Sequence, residues 1–374
     1  MVFRAKVRMA ATAAAFAVAL GAGVLAAVPQ ASAAVSSGPN QTGYELAYEG
    51  TTDNLLGFNC QWPSSTTLGG CNGANTGLGM AAGTSPSITT VNLTSYEMAF
   101  QANTSALWIT GSLGTGSLGL GMMPGTSPSI TALTDGGYEI AFQANTGVLW
   151  VAGSDGTGPI GTTMNAKSSP SIAPEISGGY EVAYQDSSDN LEIAGSLGTG
   201  SLGLAMAAGT DPSIMSPRTG GYEIAYDAAN SALSTVGSLM NGSVGWNMWP
   251  GTSPDITYAP PTTTNPDGGF EIAFQYTDGR LFGYGALLSG PVTDPRSPSG
   301  IAIAPGSSPA VAGIIMPTYL GGGEAPSFEM FYEDPTGNLR YVLGSAFSSA
   351  YLNPASAIGP VLPGTIPSVA SFAQ

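Results

Sequence analysis

Seven glutamates recur in one setting. An aromatic residue, Glu and an apolar residue follow one another at Tyr44-Glu45, Tyr96-Glu97, Tyr138-Glu139, Tyr180-Glu181, Tyr222-Glu223, Phe270-Glu271 and Phe328-Glu329. Within this set Glu97, Glu139 and Glu271 are candidate acceptors for ligand hydroxyls, because an ionised carboxylate accepts hydrogen bonds and donates none. The structural alternative is that each carboxylate receives hydroxyl and backbone N–H groups of a neighbouring Ser-Pro-Ser turn, since a buried charge must be satisfied locally. The acceptors ending the same segments, Glu49, Gln101, Gln143, Gln185, Asp227, Gln275 and Glu333, read the same way. A second position varies: the residue after the next leucine is Leu56, Trp108, Trp150, Glu192, Ser234, Phe282 or Arg340. Varied polarity at a repeated position implies partial exposure. Trp108, Trp150 and Phe282 then offer ring faces for the C–H groups of a ligand while nearby polar groups take its hydroxyls, the alternative being rim packing.

Other chemistry is excluded by what is missing. The chain has no histidine, so imidazole-based nucleophile activation, His-ligated zinc and imidazole proton relays cannot be built. Acid–base catalysis would need two carboxylates in different environments. The repeated glutamates offer no such split, although Asp267, Asp294 or Glu324 in enlarged loops could be paired; no catalytic residue is assigned. Asp186, Asp189, Asn190 and Glu192 lack calcium-loop spacing and read as a solvated turn. Trp246 and Trp249 read as packing. No metal and no cofactor is expected. The balance of 8 basic against 24 acidic residues lacks the clustered cations that nucleic acid or an anionic bilayer demands.

Arg4, Lys6 and Arg8 precede an Ala/Val/Leu stretch from about Ala10 to Val28, and Ala31-Ser32-Ala33 follows. This is the pattern of a secretory leader cut after Ala33 or Ala34, leaving residues 35–374 as one exported domain. Cys60 and Cys71 both fall in that part, where an oxidising compartment favours a disulfide between them. No later stretch is apolar enough to span a bilayer.

The elements that position these residues follow from the repeat. Gly and Pro together make 82 of 374 residues, and only 9% are charged, which leaves little material for amphipathic helices. A second motif, typified by Thr126-Ser127-Pro128-Ser129-Ile130, places its proline at Pro86, Pro128, Pro170, Pro212, Pro254, Pro309 and Pro367. Taking residues 126–167 as the type unit, the sequence predicts four short strands: a near Ser129, b over Tyr138–Gln143, c over Val148–Ala152 and d near Ile160–Met164. Strand b sends Tyr138, Ile140 and Phe142 to one face and Glu139, Ala141 and Gln143 to the other. Bulky faces opposite small ones imply sheets stacked on one another.

The ends decide between an open array and a ring. Tyr44 opens a b strand with no Ser-Pro motif before it, and Ile366-Pro367-Ser368-Val369 has no b strand after it. Joining the halves completes a seventh unit and removes exposed edges. The expectation is an all-β, seven-bladed β-propeller of four-stranded blades, closed by the C-terminal strand. Extra residues at 260–267 and 317–326, between strands a and b, and at 289–299, 346–360 and 60–71, after strand c, are expected at one end of blades 6, 7 and 1.

Gly-Thr-Ser-Pro-Ser-Ile at 125–130, Gly-Gly-Tyr-Glu-Ile-Ala-Phe-Gln-Ala-Asn-Thr-Gly at 136–147 and Leu-Trp at 149–150 resemble the tandem repeats of secreted actinobacterial proteins. In layout they are similar to bacterial and tectonin/tachylectin-type propeller lectins. The resemblance implies glycan binding in shallow pockets at or between blades. The leading expectation is a secreted, monomeric, multivalent protein that binds a glycan or cell-surface polysaccharide. A protein-interaction scaffold using the enlarged end is the second expectation, and a glycoside-acting hydrolase or lyase the third.

Overall fold

Alternation with a period of two governs strand b of every unit, and each such strand is found inside a four-stranded antiparallel sheet. The computed structural model describes residues 43–61, 71–92, 95–262, 266–293, 299–317, 324–345 and 348–371. The leader expected over 1–34 lies outside these residues, as do Trp62 and Asp294. The side chains of Cys60, Cys71 and Glu324 are likewise outside the description.

Blade 1 starts with β1 (Gly43–Glu49), β2 (Asn54–Gln61) and β3 (Cys71–Gly79). Blade 2 is β4 (Ser87–Asn92), β5 (Ser95–Gln101), β6 (Ala106–Gly111) and β7 (Gly114–Gly121). Blade 3 is β8 (Ser129–Ala132), β9 (Tyr138–Gln143), β10 (Val148–Gly153) and β11 (Thr157–Thr163). Blade 4 is β12 (Ser171–Pro174), β13 (Tyr180–Gln185), β14 (Asn190–Gly195) and β15 (Thr199–Ala205). Blade 5 is β16 (Ser213–Met215), β17 (Glu223–Asp227), β18 (Ala232–Gly237) and β19 (Gly242–Asn247). Blade 6 is β20 (Asp255–Ala259), β21 (Gly269–Gln275), β22 (Leu281–Gly285) and β23 (Ser289–Pro291), and blade 7 is β24 (Ala310–Pro317), β25 (Glu324–Glu333), β26 (Asn338–Ser345) and β27 (Ser348–Pro360). The last strand, β28 (Ser368–Ser371), pairs with β1 from Tyr44↔Ser371 to Ala47↔Ser368 and completes blade 1. The expected closure and blade number are observed. In the type unit the outer strand begins at Thr157, ahead of the expected Ile160.

Blades stack as the alternation requires. Ile140 and Phe142 of blade 3 pack against Ala99 and Leu107 of blade 2, while Ala141 of blade 3 receives Val182 and Tyr184 of blade 4. The a strands lie innermost, each against the next around the ring, with β28 touching both β24 and β4.

An innermost strand has one edge without a strand partner, and its N–H groups must find acceptors. The Ser-Pro-Ser-Ile motif supplies them. Pro128, Ile130 and Ala132 share the outward phase; the proline has no N–H, Ile130 N–H donates to Ser87 Oγ at 3.0 Å, and Ala132 N–H donates to Thr89 Oγ1 at 3.0 Å. A second run of bonds goes the other way round the axis. Ile366 N–H donates to Ser85 Oγ (2.8 Å), Ser85 N–H to Ser127 Oγ (2.8 Å), Ser127 N–H to Ser169 Oγ (3.0 Å) and Ser169 N–H to Asp211 Oδ1 (2.6 Å). Asp211 N–H then donates to Ser253 Oγ, and Ser253 N–H to Ser308 Oγ, each at 2.9 Å. At the seam from blade 7 to blade 1 the acceptor positions are Ile366 and Ala310, which carry no hydroxyl. There an apolar cluster of Tyr44, Leu46, Phe331, Tyr341 and Val361 fills the contact instead.

The enlargements follow the expected plan in part. In blade 7 the extra residues lengthen both hairpins at one end, with register running to Pro317↔Glu324 and to Ser345↔Ser348. The segment 289–299 departs from it. Val292 and Ile301, both buried, bond to each other and to Leu281, so the excursion leaves and rejoins the outer strand opposite Leu281, away from the c–d turn. Burying those two side chains against the core of blades 6 and 7 fixes the exit point.

Cys60 and Cys71 face each other in the β2–β3 backbone register. No helix among the described residues is long and apolar enough to cross a membrane.

A chain ending at Pro363 loses β28 and with it the seryl contacts to blade 2. Its thermal unfolding, followed by circular dichroism, is expected to start about 4 °C or more lower, since about 3 kcal/mol or more is removed from one large domain; an unchanged transition would contradict the closure described.

Candidate functional site

The repeated glutamates lie inside the blades. Glu139 Oε2 accepts Asp155 N–H at 2.9 Å, from the c–d turn of its own blade. Glu97 accepts Leu113 N–H (2.9 Å), Glu181 accepts Leu197 N–H (2.7 Å), Glu223 accepts Leu239 N–H (2.8 Å) and Glu271 accepts Leu287 N–H (3.0 Å). The residue paired with each is a glycine: Gly111, Gly153, Gly195, Gly237 and Gly285. A Cβ on Gly153 would stand 2.3 Å from Tyr138 O and 2.7 Å from Glu139 Oε2, so the carboxylate fills the space a side chain would take. In blade 1 the paired residue is Asn59, and its Nδ2 donates to Glu45 Oε1 at 2.5 Å.

This corrects two expectations. Glu97, Glu139 and Glu271 are each 0% exposed and present no oxygen to a ligand. Their donors come from the blade's own c–d hairpin, which lies nearer than a neighbour's Ser-Pro-Ser turn because Glu and hairpin start from paired backbone positions. Burial pushes the carboxyls of Glu45, Glu97, Glu139 and Glu181 up to about 7 and that of Glu271 up to about 8.

The acceptors ending strand b are clamps. Gln101 Nε2 donates to Met123 O at 2.8 Å while its Oε1 accepts Gly125 N–H at 3.1 Å, which pins the connector to the next blade. Gln185 and Gln275 repeat this on Ala207 and Gly209 and on Ala304 and Gly306.

The variable position on strand c is where side chains reach the surface between blades. Opposite it the outer strand bulges: Trp108 pairs with Ser117 but Ala106 with Gly121. Gly119 takes φ of 73° and donates its N–H to Ser117 Oγ at 3.1 Å, a conformation that a residue with a Cβ rarely adopts. Trp108 and Trp150 are half-buried, Trp108 at the edge of an apolar cluster that Leu78 of blade 1 also flanks and Trp150 at the edge of one that Leu118 and Leu120 of blade 2 flank. Glu192, Ser234 and Phe282 at the same position are buried. Expected partial exposure therefore holds for the two tryptophans and fails for Glu192, Ser234 and Phe282, the last of which is 3% exposed.

The reason is a cluster that the sequence reading did not assemble. Trp246 of β19 meets Phe282 edge-on at 5.3 Å, Tyr276 stacks on Phe282 at 4.5 Å, and Trp246 and Tyr276 meet at 5.7 Å. Arg280 places its guanidinium 5.7 Å from the Phe282 ring centroid. Its Nε donates to Asp278 Oδ2 at 2.7 Å, and its terminal nitrogens donate to Asp278 and to the Ser299 carbonyl. Both charged side chains keep about a third of their surface exposed, 35% and 36%, and Arg280 holds the Asp278 carboxyl below its ordinary range. Trp246 and Tyr276 are half-buried beside them. An exposed guanidinium and carboxylate at the rim of aromatic faces can bind a polar molecule that also has an apolar face. In sequence the signal was slight: Arg280 is a cation at a position that is Asn, Ala or Val in the other units.

Asp186, Asp189 and Asn190 form a tight turn, in which Asp186 Oδ1 accepts Ser188 N–H at 2.8 Å and Asn190 N–H at 2.7 Å.

These features define a seven-bladed β-propeller with aromatic side chains at its blade seams. Solved propellers are similar to it in fold. The BP39L lectin from Burkholderia pseudomallei gives a TM-score of 0.57 at 12% identity, over 75% of this chain and 86% of that one. A mutant of AofleA from Arthrobotrys oligospora gives 0.50 at 10% identity, over 79% of this chain and 91% of that one. No family model matches the chain, and no curated protein matches it in sequence.

Raised carboxyl pKa values carry a sign. Glutamates that titrate near 7 folded and near 4.5 unfolded hold more protons in the folded state between those values, so their stabilisation is complete below about pH 4.5 and is lost as pH rises through about 7. Thermal unfolding is expected to shift to lower temperature from pH 5 to pH 8; a shift upward would show these carboxylates to be better satisfied than the geometry indicates.

Proposed function

We propose that this protein is a secreted, lectin-like propeller that binds a glycan or cell-surface polysaccharide at several seams. The observation that carries the reading is the cluster of Trp246, Tyr276, Arg280 and Asp278 at the seam of blades 5 and 6, with half-exposed Trp108 and Trp150 at two other seams. A pyranose has C–H faces that suit an aromatic ring and hydroxyls that suit a guanidinium and a carboxylate. Shallow sites of this kind bind weakly one at a time, and repetition on one rigid ring raises the avidity for a polymer. BP39L, a lectin by name, shares the fold.

A glycan array probed with the folded chain is expected to yield ligands. Trp150→Ala should weaken binding by about 3- to 10-fold, the equivalent of one aromatic contact of about 0.5–1.5 kcal/mol. Arg280→Ala should weaken it further, with melting temperature as the control for folding. A folded chain that retains no saccharide from the array removes the reading.

Export is proposed with it, on the leader pattern over residues 1–34 and the facing backbone positions of Cys60 and Cys71. Mass spectrometry of the protein from culture medium should give a chain starting at Ala34 or Val35 with both thiols oxidised. An intact N-terminus or free thiols would exclude the corresponding part.

One observation favours a second reading, a surface for a protein partner. Leu113, Leu197 and Leu239 stand exposed on c–d turns, at the end where the blade 7 hairpins lengthen. Partner capture that survives Trp150→Ala but fails in Leu113→Ser would select it.

A further inference from the structure

The clamp at the end of strand b uses two atoms. The side-chain oxygen accepts the connector N–H, and the amide nitrogen faces connector carbonyls. Gln143 shows how closely those carbonyls converge: its Nε2 lies 3.3 Å from Gly147 O, 3.5 Å from Met164 O and 3.3 Å from Asn165 O. Blade 5 repeats this backbone. Met248 N–H donates to Ser231 O at 2.8 Å as Met164 N–H does to Gly147 O at 2.8 Å, and Trp249 N–H donates to Gln275 O at 2.8 Å as Asn165 N–H does to Gln185 O at 3.0 Å. The carbonyls of Ser231, Met248 and Trp249 thus stand where those of Gly147, Met164 and Asn165 stand in blade 3.

The side chain in front of them is Asp227. It is 0% exposed, and neither of its carboxylate oxygens has a hydrogen-bond partner. The other acids at this position still reach their connectors, Glu49 accepting Gly83 N–H at 3.1 Å and Glu333 accepting Gly364 N–H at 3.2 Å. Asp227 is one methylene shorter and reaches nothing. It replaces an amide donor by a carboxylate among carbonyl oxygens, an arrangement that is destabilising unless a positive group balances it. Burial alone pushes its carboxyl up to about 7.

The lost methylene also sets a length. Withdrawing the terminal atom by about 1.5 Å, one C–C bond, widens the 3.3 Å separation seen at Gln143 to about 4.8 Å. That is twice the roughly 2.4 Å bond that calcium makes to oxygen, and sodium is of similar size. We propose that Asp227 and the main-chain carbonyls of Ser231, Met248 and Trp249 form a buried site for a small oxygen-seeking cation, Ca2+ or Na+. The ion takes the place of the amide nitrogen and ties blade 5 to the connector into blade 6. Mg2+ fits poorly, since it requires about 2.0–2.1 Å octahedral ligation and keeps its waters. No group of three or more His, Cys, Asp or Glu side chains comes together among the described residues, so the remaining ligands here are main-chain oxygens.

The test is thermal unfolding of the full chain after chelator treatment and exchange into choline chloride, with CaCl2, NaCl or MgCl2 added at constant ionic strength. Either Ca2+ or Na+ should raise the melting temperature saturably by several degrees, the two arms telling which ion binds, with Mg2+ giving little. Asp227→Gln restores the amide and should abolish the response while melting no lower than the ion-loaded protein. Should that variant fail to fold, Asp227→Asn, the closest replacement in shape, should show the same loss of response. A wild-type chain that gains nothing from either ion overturns the site, as does a variant without the carboxylate that gains as much as wild type.

Discussion

The unpaired edge of seven axial strands is the constraint on which the rest of the structure depends. In an open sheet such an edge meets water or another chain; on the axis of a closed ring it meets only its neighbours. Two runs of hydrogen bonds in opposite directions answer it, with Ser or Asp side chains as acceptors from Ser85 to Ser308 and from Ser368 to Asp255. Proline in the outward phase removes one donor per blade outright. Each bond is worth only about 1 kcal/mol, but a missing acceptor would cost about 1–3 kcal/mol at a buried N–H.

Charge inside the blades is managed by the same principle. A carboxylate on the small-residue face would be untenable without a donor, and the c–d hairpin brings one N–H to every glutamate from Glu97 to Glu271. Glycine opposite each glutamate is what gives the carboxylate room. The recurrence that made these residues candidates for ligand contact is therefore the recurrence of an internal hydrogen bond. The surface chemistry falls to positions that vary, because only there is the side chain released from the repeat.

The seams differ in what they leave at the surface. Trp108 and Trp150 remain half-buried at seams where the preceding outer strand contributes leucines, Leu78 or Leu118 and Leu120, to the same apolar cluster. At the seam of blades 5 and 6 the preceding strand carries Trp246, which covers Phe282 and moves the accessible aromatic surface outward to itself and Tyr276. The excursion after Val292 returns through Ser299, whose carbonyl holds Arg280 over the same ring. The return of that insertion at Ser299 thus orders the cation of the rim.

Much of the fold was legible in the chain. The 42-residue spacing of Tyr96, Tyr138, Tyr180 and Tyr222, the alternation in strand b and the two unmatched ends imply seven stacked sheets and their closure, because side-chain direction along a strand and the need to pair an edge are local properties. The partner of Glu139, the burial of Phe282, the exit point of the 293–300 excursion and the meeting of Trp246 with Arg280 were not legible. The first and third depend on which residues of separate strands stand opposite one another within a blade, the other two on which side chains meet across a seam or beside an inserted loop, and those relations exist only once the strands have paired and the seven sheets have packed around their axis.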